Sequence, residues 1–534
     1  MTLPTFPFSD VHSVAAWSNF HGTISARPIP IYVTPDALTD ASNIASPRRL
    51  ERHGQAISAI LDYCLTQIPF VPMRTIGGRW SLSNIGRPGR LAVDPANMDV
   101  MLKVRQEWLA PDYKTARGAR GFVPVYTQGG ATIGSMNRRL LQIGLALQTT
   151  GAADGQRLAG GIATGTHGSA MGVGAMHDRA LALHIVTSPT TALFIQPQTG
   201  AACTDDVAGW LTTETGIATT SVRDDEMFRA ALVALGSLGF VFGVVMEAEP
   251  LYRLHRRQLG LKFTDPRLWT ALATHDSRPL HPDIPEKPFH FEIIFNPYPS
   301  TSGFAAYVTL FFKRPEGGVV PTSPSPPVTD TSSDVMGFLG DLMHTFSGPI
   351  TTAVLKLILN SQLESRYPIG DGPTRFPGEW FGPSSLAPGH GISQELAVDA
   401  THAGQAVHAI FDALVEGSAA DQNLLGALSV RFSPASQAHL AMNIHPMTCH
   451  IEFPSIANED VKSVYARTWA HLDSAGIPFT CHWGQYNGLT PARVSRYFGD
   501  RATRWKAARH RILADETARE VFASPTLADA GLGG

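Results

Sequence analysis

The stretch 76-IGGRWSLSNIG-86 sets Gly77 and Gly78 directly before Arg79, Trp80 and Ser81. Glycines let a backbone come close to a ligand, and Ser and Asn side chains add short-range hydrogen bonds. A short strand, 69-PFVPMRTI-76, runs into it. Read alone, the stretch is a glycine-rich turn. A second such run lies further along, 158-LAGGIATGTHGSAMGVGA-175, with Thr164, Thr166, His167 and Ser169 among small residues. Consecutive backbone N–H groups and hydroxyls in such runs meet anions well, as a flat cofactor with a diphosphate requires. Neither run is a Rossmann fingerprint. Gly172-Val173-Gly174 does not follow a strand and open a helix, and no Walker A pattern occurs.

The chain has 534 residues, 43% hydrophobic and 16% charged, with a net charge of −3. This is a globular composition, long enough for two or three domains. Its charge gives no sign of a nucleic-acid partner. The four cysteines, Cys64, Cys203, Cys449 and Cys481, form no disulfide framework, which fits a reducing cytoplasm. No signal peptide is expected from MTLPTFPFSD, and no apolar run is long enough to span a bilayer.

Around the glycine runs, helices are expected at 53–68, 132–147 and 224–235. Strands are expected at 122–128, at 240–250, and as a hairpin at 180–187 and 192–196. Core strands follow at 289-FHFEIIFNP-297, 306–314, 426–432 and 447–454. Between them, 315–333 is a Pro/Ser-rich loop. The apolar segment 335–363 reads as two buried helices, with a lid over an apolar substrate or a membrane-touching surface as the sharper alternative. The basic run 491–513 reads as a solvated helix face.

The ordered pair IGGRWS and GGIATGTHGS resembles the vanillyl-alcohol oxidase and p-cresol methylhydroxylase superfamily of flavoproteins, above all its alditol oxidase and gulonolactone oxidase branch. Residues 17-WSNFHG-22, 228-FRAALVALGSLGFVFGVVMEAEP-250, 429-SVRF-432 and 482-HWGQ-485 are similar to further family segments. The likeness covers roughly 17–250 well and 425–513 in pieces. It implies an α+β fold in three parts. A PCMH-type two-subdomain FAD-binding domain takes 1–254. A cap domain on an antiparallel sheet with helices takes 255–470. The segment 471–534 returns to the first domain.

By this resemblance, Gly77, Gly78, Arg79, Trp80 and Ser81 hold the diphosphate of FAD. Ile162, Gly165, Thr166, His167 and Gly168 flank the cofactor, Val241 meets its adenine side, and His482 reaches the flavin. The reaction implied is oxidation of a C–OH or activated C–H group by hydride transfer to flavin N5. Arg431 stands near the substrate and the ring, where a guanidinium stabilises an alkoxide or the reduced flavin. His450 is the expected general base. Glu452, two residues on along a strand, shares its face and offers an acid/base pair with it or a seat for a cationic substrate group.

Departures from the family carry information. Where the alditol branch attaches its flavin to a His, this chain has Trp80, so FAD is expected to be non-covalent, with Trp80 as a flat wall against the ring. Ser429, Glu452, Gln485 and Arg157 replace the branch's polyol-binding residues, which argues against a simple polyol substrate. A small molecule, hydrophobic if the apolar segment forms a lid, is the expected substrate, and O2, a quinone or a cytochrome the electron acceptor. The alternatives are a tailoring enzyme, such as one catalysing oxidative cyclisation of a bulky apolar substrate, and a repurposed flavin-binding protein. Zinc on Cys449, His450, Cys481 and His482 is disfavoured, because neighbours on a strand face opposite ways.

Overall fold

The computed structural model describes residues 3–26, 28–36, 46–299, 303–316, 352–381, 391–420, 422–457 and 459–533. Of the expected apolar pair, 335–346 lies outside them, as does nearly all of the loop 315–333. The second member is the helix Thr352–Arg366.

The architecture is α+β. A four-stranded sheet orders Ser9–Val14, Ile29–Pro35, Leu91–Val93 and Met73–Thr75. Alternation in 29-IPIYVTP-35 buries Ile29, Ile31 and Val33 on one face. Helix Ser46–Thr66 contributes buried residues to the same core through Leu50, Ile57, Ile60, Leu61 and Cys64, a stripe at helical spacing. A seven-stranded sheet follows, centred on Phe240–Pro250 between Ala180–Val186 and Val123–Gln128.

The third sheet has eight strands. Their order is Gly370–Arg375, Tyr252–Leu261, Ala306–Pro315, His290–Phe295, Leu428–Pro434, Met447–Ile456, Gly391–Asp399 and Phe479–Cys481. Every pairing is antiparallel. Successive side chains face opposite ways. Ile293, Val430, Phe432, Ile451, Phe453, Leu396 and Val398 share a core with helices Pro266–Thr274, Ala403–Ala419 and Glu459–Ser474. The alternate positions carry Glu292, Ser429, Arg431, His450, Glu452 and Glu395, all buried on the other side.

Several expectations change. The helix expected over 132–147 is Ile133–Gln142, followed after Gly144 (φ 74°) by the strand Leu145–Leu147. A left-handed residue there ends the helix. The second glycine run opens as a helix, Leu158–Thr164, capped by Gly165 at φ 85°. Residues 491–513 form two helices, Pro491–Phe498 and Asp500–Ile512, hinged at Gly499. They do not simply face solvent. Trp505 is fully buried and donates from Nε1 to the Val233 carbonyl at 3.0 Å, and Arg509 donates to the Ser237 carbonyl at 3.2 Å. These helices share the first core, while Phe479–Cys481 completes the eight-stranded sheet.

Gly130 brings two chain segments together: a Cβ there would lie 1.9 Å from the Pro95 carbonyl oxygen and 2.7 Å from that of Met98. Gly130→Ala is expected to cost at least about 1–3 kcal/mol of stability, seen as a lower urea midpoint with an unchanged slope. Gly89→Ala, with no atom within 4 Å of the added Cβ, should leave the midpoint in place.

Candidate functional site

A single long cleft encloses about 1810 Å3, part of it open to solvent. It runs from the glycine loop to the polar face of the eight-stranded sheet. Its loop end is shaped by left-handed turns at Gly77 (φ 47°) and Arg79 (φ 62°). The loop is clipped to a segment 400 residues away: Ser83 Oγ donates to the Trp483 carbonyl at 2.6 Å. Leu82 N donates to the Gly484 carbonyl at 2.7 Å. Four arginines line this end, Arg74, Arg79, Arg87 and Arg157. Arg74 Nη2 and Arg157 Nε are buried without a hydrogen-bond partner.

Trp80 is half-buried. Phe20 stacks on it at 4.7 Å between ring centroids and 7° between planes. Gly155 packs so closely that a Cβ there would lie 2.5 Å from the indole Cζ2. Phe20 therefore takes one face of the indole, which limits how Trp80 can serve as the expected wall for a flavin.

The far end is built around Arg431. Its guanidinium forms a close ion pair with Glu452, and Nη2 also lies 3.4 Å from Glu395 Oε1. Nε lies 3.9 Å from Glu292 Oε1. Gln485 Nε2 and Ser393 Oγ donate to Glu452 Oε1 at 2.7 and 3.1 Å, and Ser429 Oγ to Glu292 at 2.7 Å. His167 Nε2 stands 3.0 Å from Glu395 Oε1. The His450 ring lies against His167 at 3.8 Å between centroids, and its Nε2 pairs with Ser433 Oγ at 2.7 Å.

Burial works against charge throughout this group, and the partners decide the outcome. For Glu395, the charges of His167 and Arg431 outweigh burial and hold the carboxyl well below its usual range. For Glu452, burial and the Glu395 charge outweigh Arg431 and raise it. Arg431 stays firmly charged, because three carboxylates outweigh its burial. Burial drives His450 well below the usual imidazole value, with His167 next in effect, and takes His482 down to about 4.

Of the residues singled out from the sequence, Gly77, Gly78, Arg79, Trp80, Ser81, Thr166, His167, Val241, Arg431, Glu452, His482 and Gln485 line this cleft. Ile162, Gly165, Gly168 and His450 do not. Ile162 is core, Gly165 turns the chain, and Gly168 packs against the Thr150 carbonyl. His450 lies behind His167, its Nε2 paired with Ser433 Oγ, and burial lowers it well below the usual imidazole value. The sequence reading missed Glu292 and Glu395. A signal existed for Glu292: a carboxylate inside the apolar run 289-FHFEIIF-295 is buried only if paired. Cys449 and Cys481 lie in the helix-covered core, away from any shared metal position. Among the described residues, the one grouping of metal-site dimensions is His167, Glu395 and His450.

The molecule's likeness to cholesterol oxidase from Brevibacterium sterolicum extends over 99% of this chain and 100% of that one, with a TM-score of 0.65 and 12% sequence identity. A solvent-stable cholesterol oxidase matches with a TM-score of 0.64 over 99% of this chain and 100% of that one, at 12% identity. In sequence, the chain is 30% identical over 142 residues to D-arabinono-1,4-lactone oxidase of Debaryomyces hansenii, 27% of this chain and 21% of that protein. The chain therefore shares the fold of these oxidases and a partial sequence likeness to a lactone oxidase. It is also similar to the L-gulono-1,4-lactone dehydrogenase of Mycobacterium tuberculosis, 25% identical over 184 residues, 34% of this chain and 33% of that one. The alignments thus span about a fifth to a third of these curated relatives. No protein-family model matches the chain. The cleft has unpartnered cationic donors among glycines at one end and a charged hub at the other.

Buried imidazoles give this molecule an acid weakness. Burial lowers His21 and His482 to about 4 and His184 to about 3, and His450 falls well below 6.5. In each, the unfolded form binds a proton more readily than the folded form. Stability is therefore full above pH 6.5 and declines as pH falls from there toward the folded values. Between pH 7 and 5.5 the loss is about 1 kcal/mol per imidazole, several kcal/mol together. Urea unfolding at the two pH values measures it; equal stability would contradict the buried, neutral assignment.

Proposed function

We propose that the protein is an FAD-dependent oxidoreductase that oxidises a C–OH or activated C–H group, with its FAD held non-covalently. The observation that carries this reading is the cleft itself, whose glycine-walled, arginine-lined end opposes a polar end organised by Arg431. Its relatives are named for lactones and its structural neighbours for cholesterol, which supports the reaction class and leaves the substrate open.

In this reading the backbone of Gly77–Ser81 holds the diphosphate, and Val241 borders the adenine side. The flavin, when bound, supplies the acceptor for a hydride. Arg431 stabilises negative charge developing on the substrate oxygen, in a setting dry enough to strengthen that effect. Glu452, raised by burial and lining the cleft, takes up or holds the substrate proton. Ionised Glu395 holds a proton at His167 Nε2, and neutral His450 fixes the His167 ring from behind. Trp80 offers no nucleophile for a covalent link. An acid-lined floor with Gln485 and without the polyol-binding set points away from a simple polyol. The four buried, unpaired cysteines fit a cytoplasmic setting.

Acid precipitation of the purified protein tests the cofactor assignment: all flavin should appear in the supernatant with the spectrum of FAD. Flavin retained in the pellet would refute non-covalent binding, and protein that takes up no flavin would refute the reading as a whole. Arg431→Met should keep FAD but slow anaerobic flavin bleaching by the best substrate from an alcohol panel by about 100-fold or more.

A further inference from the structure

We propose that Arg74 is an anion anchor whose free guanidinium edge takes a phosphate oxygen of the cofactor's nucleotide arm; this rests on the flavoprotein reading above. Arg74 sits on the strand Met73–Thr75, which leads directly into the glycine loop. Its side chain crosses to the turn at Leu235 and Gly236. There Nη1 donates to the Gly236 carbonyl at 2.9 Å and lies 3.5 Å from that of Leu235. Both turn residues are left-handed, at φ 52° and 65°. One edge of the guanidinium is thereby seated.

The other edge is not. Nη2 is buried and has no hydrogen-bond partner. No acidic side chain among the described residues offsets the charge, and burial alone lowers its pKa, to about 10, so Arg74 remains a cation at neutral pH. Arg431, equally buried, has three carboxylates around it. A buried charge without a counter-ion is costly, and proteins rarely keep one except where a ligand completes it. Arg74 lines the same cleft as Gly77, Gly236 and Val241, and it touches Gly236 directly. A planar, charged guanidinium matches the oxygens of a phosphate, the anion that the cofactor's nucleotide arm carries.

The competing view is that Arg74 only pins the Leu235–Gly236 turn. Titration calorimetry on flavin-free full-length protein separates the two, using FAD, ADP and riboflavin as probes. Arg74→Gln keeps a donor for the turn carbonyls and loses the charge. It should bind FAD and ADP at least about tenfold more weakly, since a charged hydrogen bond is lost. Riboflavin affinity should change less than threefold, and Arg74→Lys should recover part of the loss. The flavin-free Arg74→Gln protein should melt at or above the wild-type temperature, because an unpaired buried charge is gone. Unchanged FAD affinity, an equal loss for riboflavin, or a drop in melting temperature with FAD affinity intact would each overturn the proposal. A wild-type protein that binds neither FAD nor ADP would bring down the flavoprotein reading itself. Wild-type binding matched by the variant would bring down only the role of Arg74.

Discussion

The Arg431 guanidinium, buried in the middle of an eight-stranded sheet, is the constraint around which that sheet is built. A cation there is tolerated only with counter-charge, and the sheet delivers it from three other strands. Glu292 stands opposite Arg431 in register, Glu452 stands opposite Ser429, and Glu395 stands opposite Glu452. A slip of one residue in any of these pairings would turn a carboxylate into the apolar, helix-covered layer. Electrostatics on one face and hydrophobic packing on the other therefore require the same register.

That shared register gives the cleft two unlike ends. The loop end is cationic and glycine-walled, and the sheet end is dominated by carboxylates around one guanidinium. The two are joined through the clip between residues 81–83 and 483–484, which ties the first core to the segment carrying His482 and Gln485. His167 is the pivot between them. It leaves the second glycine run, meets Glu395 through Nε2, and is backed by His450.

Much of this was legible in the sequence, and the failures have physical causes. The glycine loops and the strands carrying Arg431 and Glu452 are set by local pattern, so their positions were readable. Glu395 was not, because its role depends on pairing between strands far apart in sequence. No helix was legible at Leu158–Thr164, because glycine disfavours helix, and the buried Leu158 and Ile162 hold one there. His450 carried the right residue type for a base, but its depth behind His167 is a tertiary fact. Trp80 lies in a loop that lines the cleft, and its stacking on Phe20 could not be foreseen from residues 76–86 alone.

The most direct test of the account is a crystal structure of the full chain grown with FAD. It should show the dinucleotide along this cleft, with the diphosphate on the backbone of Gly77–Ser81 and the flavin ring at the Arg431 and His482 end. Flavin bound elsewhere, or lying in the cleft with its ring toward Arg74 and its adenine against Arg431, would contradict it.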